Sequence, residues 1–143
     1  MAIFEWCILC TRVIEDSASK ALSLIDILDN LRVVAAVPGP VQVPTQLAFI
    51  ASWRRSDLNV AEHLQARCVL EGPTGEPIAA PMEYDVDLEK FPRLRVGTSI
   101  PGFTVNGSGG YRFIVQTRSN PSEEWAVAGE VLLTVQVVTP TSQ

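Results

Sequence analysis

The stretch "GFTVNGSGGYRFIVQ" (Gly102–Gln116) decides the fold, because its four glycines within nine residues fit two different structures. A glycine-rich loop can hold a phosphate, but a Walker loop then needs a lysine, and a dinucleotide loop must open a helix. Here "YRFIVQTR" follows, in which apolar and polar residues alternate and aromatic and β-branched residues are frequent. This pattern predicts a turn that leads into a strand, with Asn-Gly and Gly-Gly supplying positive φ angles.

Three further stretches alternate between apolar and polar residues with a period of two, which is typical of half-buried strands. They are "QLAFIASWR" (46–54), "HLQARCVLE" (63–71) and "PIAAPMEYDVDLE" (77–89). In each stretch one set of alternate side chains is apolar, and we expect that set to face the core. The side chains predicted to face inward are Leu47, Phe49, Ala51, Trp53, Leu64, Ala66, Cys68, Leu70, Ile78, Ala80, Met82, Tyr84, Val86 and Leu88.

Both ends of the sequence show the same alternation of apolar and polar residues. Alternate apolar residues near position 1 predict a first strand, and "EWAVAGEVLLTVQVV" (124–138) predicts a last one. Gly129 interrupts the last strand and indicates a bulge or the close approach of another residue. The residues predicted to share one face are Phe4, Trp6, Ile8 and Cys10 in the first strand, and Trp125, Val127, Val131, Leu133, Val135 and Val137 in the last.

Proline and glycine mark the connections between these strands, as in "VPGPVQVP" (37–44) and "EGPTGEP" (71–77). The segment Ser17–Leu31 fits either a helix, from its 3–4 spacing of apolar residues, or a strand with a phase slip near its middle; we favour the strand. The sequence predicts an all-β fold, a single antiparallel β-sandwich of about eight strands, with one domain spanning residues 1–143.

Composition and charge exclude several classes of function. Hydrophobic residues make up 47% of the 143 residues and charged residues 19%, as in ordinary globular proteins. The net charge is −5, whereas a general grip on nucleic acid or anionic lipid needs a positive surface, so we expect neither partner. No basic segment precedes the first apolar run, and three cysteines leave at least one thiol unpaired. We therefore predict a cytoplasmic protein.

The residue types that carry chemistry are few. In "CILC" (Cys7–Cys10) the two thiols lie three residues apart, so in a strand they point to opposite faces and cannot bind one metal ion or each other. His63 is the single histidine, and no Gly-x-Ser-x-Gly motif accompanies it, so we expect it to face solvent. The sequence thus predicts no catalytic residue, no bound cofactor and no metal site.

A row of acidic side chains alternates along one predicted strand face. If a turn follows this strand, Glu89 would face Arg93 and Asp87 would face Arg95, giving a charge-paired surface. Calcium binding is the alternative, although a flat strand spreads its carboxylates about 7 Å apart. With the neighbouring aromatic and basic residues, this row forms the predicted interaction surface: Trp53, Arg54, Arg55, Glu83, Asp85, Asp87 and Glu89.

Taken in order, several segments resemble those of an uncharacterised bacterial family of small β-sandwich proteins, a domain of unknown function. The similar segments are "FEWCILCTRVI", "SLIDILDNL", "LAFIASWR", "CVLEGPTGEPI" and "GGYRFIVQTR". This chain departs from the family at "SASKALSL", where the family has a glycine turn. The resemblance implies that "SLIDILDNL" is a strand, and it implies no catalytic residue.

The leading hypothesis is a non-enzymatic binding or assembly module with a protein partner or self-association. One alternative is a sandwich that binds a small molecule or carbohydrate through exposed aromatic residues such as Trp6, Trp125 or Tyr111. A second is a subunit of a larger particle or filament joined through edge strands. A third is a hydrolase that uses His63 as its base.

Overall fold

Strands dominate the part of the chain that the computed structural model describes, residues 1–43 and 45–140. This confirms the predicted all-β class. Within those ranges, no helix is long and apolar enough to cross a membrane. The strands of these ranges are β1 (Ile3–Glu15), β2 (Leu22–Ile27), β3 (Asn30–Val34), β4 (Val41–Val43), β5 (Leu47–Arg54), β6 (Glu62–Glu71), β7 (Met82–Leu88), β8 (Arg93–Ile100), β9 (Phe103–Val105), β10 (Gly109–Arg118) and β11 (Ala126–Val138).

The strands form three sheets: β2-β1-β5-β8, β3-β11-β10-β6-β7 and the small pair β4-β9. The pairings are antiparallel except that β3 runs parallel to β11. The prediction of about eight antiparallel strands in a single sandwich is therefore too simple, because the described strands form several sheets that include a curled half-barrel. The short strands β4 and β9 have three residues each, too few to give a sequence period.

One hydrophobic core is shared by the three sheets. The predicted inward faces of β5 and β6 are confirmed, because all four residues expected on each face are buried. In β7 the prediction is confirmed at Val86 and Leu88, whereas Ala80 precedes the strand and is exposed. Trp53 lies at the centre of an aromatic group, with Phe4 and Tyr84 packed edge-on against it at 5.8 Å between ring centroids. Such edge-on pairs stabilise a core beyond the burial of their area.

A bulge in β1 overturns one of the predicted faces. Between Phe4 and Trp6 the pairing with β5 shifts by one residue, so Glu5 is the extra residue. A bulge reverses the alternation of side chains beyond it, so Phe4 faces the core while Trp6 lies on the opposite face. The prediction is therefore wrong for Phe4, whereas Trp6 does share a face with Ile8 and Cys10, on the side away from the core.

A second bulge lies in β11, where the pairing with β10 shifts by one residue between Gly129 and Val127. The prediction at Gly129 is confirmed, because a Cβ there would lie 2.5 Å from the ring of Phe4. The inward position predicted for Val127 is wrong, since the bulge turns this side chain outward and leaves it exposed, with Ala128 packed against the core instead.

The glycine-rich stretch is a turn that leads into a strand, as predicted. Gly107 adopts a φ of 99°, and the hydroxyl of Tyr111 fixes the turn from both sides. This hydroxyl accepts a hydrogen bond from the amide of Asn106 (2.9 Å) and donates one to the carbonyl of Gly107 (2.8 Å). Because β9 pairs with β4 and β10 with β6 and β11, the turn joins two sheets and is not a hairpin.

The segment Ser17–Leu31, which fitted either a helix or a strand, forms β2 and the beginning of β3. The strand prediction is confirmed. The phase slip expected within it corresponds to Asp26, a non-glycine residue with a φ of 52°. A left-handed residue interrupts the regular alternation of a strand, which explains why the apolar residues of this segment also fit a helical period.

We expect Tyr111→Phe to lower the free energy of unfolding by about 1–3 kcal/mol, because the turn then loses both hydrogen bonds while its backbone groups stay partly buried. Urea denaturation followed by tryptophan fluorescence measures this change. Tyr84→Phe is the matched control: it removes the same atom, and the Tyr84 hydroxyl forms no hydrogen bond with the described residues. Equal losses in the two variants would contradict the role given to Tyr111.

Candidate functional site

The predicted charge pairing of the acidic row with Arg93 and Arg95 is wrong. β7, which carries the acids, pairs with β6 in the five-stranded sheet, whereas β8 pairs with β5 in the four-stranded sheet. The turn after β7 thus changes sheets and does not close a hairpin. The two arginines lie elsewhere: Arg93 binds Glu5 in β1, and Arg95 lines a cavity on the curled sheet.

The guanidinium group of Arg55 holds the corner where the chain changes sheets. It donates hydrogen bonds to the carbonyls of Leu88 (2.7 Å), Glu89 (2.7 Å) and Leu58 (2.8 Å). Trp53, two residues earlier, is 1% exposed and belongs to the core. The predicted interaction surface included both residues. Trp53 is instead buried in the core, and Arg55 is used to hold the backbone of the corner.

The acidic side chains Glu83, Asp85 and Asp87 are exposed along β7, and Glu89 follows the strand. Across the sheet their neighbours on β6 are polar, and the ring of His63 lies 3.9 Å from Asp85. His63 faces solvent, as predicted. Among the described residues, no group of three or more His, Cys, Asp or Glu side chains is placed to hold a metal ion. The row remains an exposed, negatively charged strand face.

Two of the three aromatic residues considered for carbohydrate binding are not open surfaces. Tyr111 is fully buried. The guanidinium groups of Arg67 and Arg118 lie over the ring of Trp125, at 4.6 and 4.2 Å from its centroid. Such contacts occupy the π-face that a sugar ring would use. Trp125 also lines a cavity, of about 250 Å³, but Trp6 differs from both residues because it is only half-buried, lines a cavity and has no guanidinium group of the described residues over its ring.

The thiols of "CILC" lie on opposite sides of the four-stranded sheet, as predicted. Cys7 packs against the core, whereas Cys10 is buried outside the core cluster. Burial, with a contribution from Glu130, raises the pKa of Cys7 to about 11. Burial, with a contribution from Cys7, likewise raises the pKa of Cys68 to about 12. Both thiols are therefore protonated at neutral pH and are poor nucleophiles.

The curvature of the four-stranded sheet creates a trough on the face that points away from the core. β2 and β8 are the edges of this sheet and would lie about 14 Å apart if it were flat. Leu22 of β2 and Arg95 of β8 nevertheless line the same two adjoining cavities, of about 520 and 340 Å³. The edges must therefore curve towards each other, and we call the two cavities together the trough.

The floor of the trough is apolar and is not covered by another sheet. Ile50, on the central strand β5, is only 2% exposed although its side chain points away from the core. It lies over Gly97 of β8, where a Cβ would approach its Cδ1 to 3.0 Å. Ala48 continues the floor along β5, and Trp6 and Ile8 of β1 lie in the adjoining cavity.

Charged side chains on the four-stranded sheet differ in their pairing. Arg93 binds Glu5 through two hydrogen bonds of 2.8 and 3.0 Å, Arg54 lies 3.8 Å from the same carboxylate, and Ser52 donates a further bond of 2.9 Å. Arg95, by contrast, forms no hydrogen bond or ion pair with residues 1–43 or 45–140. Arg95 also contributes to both cavities.

Sequence reasoning did not find the trough. One signal was present, because every residue of "FEWCIL" except Glu5 is apolar, which predicts a strand with two apolar faces. The positions that build the trough depend on the bulge at Glu5 and on the curvature of the sheet, neither of which has a local sequence signature. Trp6 was named among the aromatic candidates, and the structure places it at the trough.

Comparison with known proteins gives a distant likeness of fold. No protein-family model matches the chain, and no curated protein matches its sequence. A hemolymph-type prophenoloxidase (proPOb) from a crustacean has a TM-score of 0.50 and 6% identity, over 96% of this chain and 34% of that chain. This chain therefore spans about a third of that protein, and the likeness concerns the fold alone.

A second solved structure is the soluble domain of PmoD from Methylocystis sp. ATCC 49242 (Rockwell). Its TM-score is 0.33 at 10% identity, over 94% of this chain and 98% of that chain. A score this low carries no argument about fold or function. The resemblance to an uncharacterised bacterial family is not tested by either structure and stays a prediction.

We expect the stability contributed by Glu5 to depend on pH. Partial burial opposes ionisation, but the hydrogen bonds from Arg93 and Ser52 and the charges of Arg93 and Arg54 outweigh it and lower the pKa of Glu5. A lowered folded-state pKa gives stability that is full above the ordinary value of about 4.3 and is lost as pH falls through the folded pKa. Glu5→Gln should therefore be destabilised at neutral pH, and its deficit should shrink in acid.

Thermal melts between about pH 2 and pH 7 measure this difference. Glu124→Gln is the matched control, because Glu124 is exposed and forms no ion pair with the described residues. A constant deficit of Glu5→Gln at all pH values would show that packing, and not the carboxylate charge, accounts for its effect.

Proposed function

We propose that the protein is a non-enzymatic binding module and that the trough is its binding site. In this proposal the two larger sheets act as the layers of a β-sandwich scaffold, and the curled sheet presents the ligand surface. The observation that carries the proposal is the pair of cavities on the face turned away from the core, where half-buried Trp6, Ile8 and Ala48 are accessible and no other described sheet packs over them. Concave, mostly apolar surfaces of several hundred Å³ with a few polar groups are the usual form of a ligand site.

The chemistry of the remaining candidate groups supports binding over catalysis. The thiols of Cys7 and Cys68 have raised pKa values from burial, so neither is an activated nucleophile. His63 lies on the outer face of the five-stranded sheet, beside acidic residues and away from the trough. The negative net charge gives no support to nucleic acid or membrane partners.

We expect Ser99→Phe to weaken binding of the neutral dye Nile red by about tenfold, because a phenyl ring at this edge would fill part of the trough. Fluorescence titration measures the affinity, since the dye brightens in apolar surroundings. Ser122→Phe is the matched control: it adds the same group in the exposed loop between β10 and β11. Equal affinities of both variants and the wild type, or no binding at all, would contradict the trough as a ligand site.

Self-association is a second candidate, and a different surface favours it. Ile27 of the edge strand β2 is 63% exposed, and Ile14 of β1 is 44% exposed, on the same side of their hairpin. Exposed apolar residues at an unpaired sheet edge are a common basis of association between copies. This surface would serve the assembly role, whereas the trough would serve ligand binding.

If copies associate through this edge, the protein should sediment as a dimer or larger species at micromolar concentration, and Ile27→Lys should return it to the monomer. Val127→Lys is the control, because Val127 is equally exposed but lies on β11. A wild-type protein that sediments as a monomer over the whole concentration range would remove this candidate.

A further inference from the structure

We propose that the ligand of the trough is a linear amphiphile with one terminal carboxylate, whose apolar chain lies on the floor and whose head group is bound by Arg95. This inference rests on the proposed function and adds the chemical class of the ligand. Three observations carry it: the position of the floor within the sheet, the shape of the trough, and the pairing of the charges around it.

The floor belongs to a strand whose backbone is already paired on both sides. β5 forms antiparallel ladders with β1 and with β8 along its length. An extended peptide binds a sheet by adding to an edge strand through main-chain hydrogen bonds, and a central strand offers none. The floor can therefore contact a ligand through apolar side chains alone, with half-buried Ala48 at its surface and buried Ile50 beneath, which favours a hydrocarbon chain.

The trough consists of two cavities that share Leu22 and Arg95 in their linings. One cavity lies above Ala48 and Ile50, and the other lies beside Trp6 and Ile8. Arg95 lines both cavities. A linear ligand can place its chain in one cavity while its head group stays beside this guanidinium.

The charge at the trough is suited to one carboxylate. Arg54 and Arg93 share the carboxylate of Glu5, whereas Arg95 forms no ion pair with the described residues and can offer its planar fork to a carboxylate. The other ionisable groups at the trough are Arg12, which also forms no ion pair with the described residues, and Glu15, which lies 3.9 Å from Lys20. The local balance is thus positive although the whole chain carries −5.

The test compares two ligands that differ in charge, decanoate and decanol, by isothermal titration calorimetry below their aggregation limits. Decanoate should bind the wild type at least about tenfold more tightly than decanol, since a charge-assisted hydrogen bond is lost with the alcohol. Arg95→Gln should weaken decanoate binding about tenfold and so remove this preference. Arg32→Gln is the matched control, because it removes the same charge from an exposed arginine of β3 and should leave both affinities unchanged.

Each other outcome overturns the inference in a recognisable way. Equal binding of decanoate and decanol, unaffected by Arg95→Gln, would refute the carboxylate head group while leaving the proposed function intact. If the wild-type protein binds none of Nile red, decanol and decanoate, the proposed function itself is refuted. Binding of an acidic peptide but not of decanoate would identify a peptide site, and a dimer dissociated by Ser99→Phe would identify a second copy as the occupant.

Discussion

The extra residue in β1 determines which side chains of this strand face the core and which face the trough. Because Glu5 is bulged, the residues before and after it follow opposite phases, and the strand places Phe4 in the core but Trp6 and Ile8 on the outer face. A carboxylate at a bulge needs compensation, and Arg93, Arg54 and Ser52 provide it. These partners come from β5 and β8, so one charged group ties three of the four strands together.

The curvature of the sheet follows from the same feature. A bulge bends its strand and increases the local twist, and a strongly twisted sheet brings its edges closer together. Gly97 assists at the far side, because the absent side chain leaves room for Ile50 to lie flat against β8. The result is a sheet with two apolar faces, one closed by the core and the other open as the trough. A flat sheet with the same residues would have exposed Ile50 to water at a cost of about 1.5–3 kcal/mol.

Side-chain alternation allowed much of the fold to be predicted from the sequence. The inward faces of β5 and β6 follow the period of two without interruption, and both predictions were confirmed. The predictions failed where one residue was added, at Glu5 and near Gly129, because a single extra residue moves all later side chains to the other face. The pairing of Asp87 with Arg95 failed for another reason: a tight turn signal does not specify whether the next strand joins the same sheet or crosses to the other.

The candidate site was less predictable than the fold, because it depends on residues that are far apart in sequence. Leu22, Ile50 and Arg95 come from three strands, and each one alone resembles an ordinary sheet residue. Arg95 is distinguished by its lack of an acidic partner. The nearby carboxylate of Glu5 already pairs with Arg93 and Arg54, so it attracts a third guanidinium group only weakly. The structure thus leaves two positive charges without an ion pair among the described residues, Arg95 in both cavities and Arg12 in the larger one, next to the half-buried apolar side chains of the trough. A ligand that complements both must itself combine an anionic group with an apolar body, which is the physical basis for preferring an amphiphile over a sugar, a phosphate or a peptide.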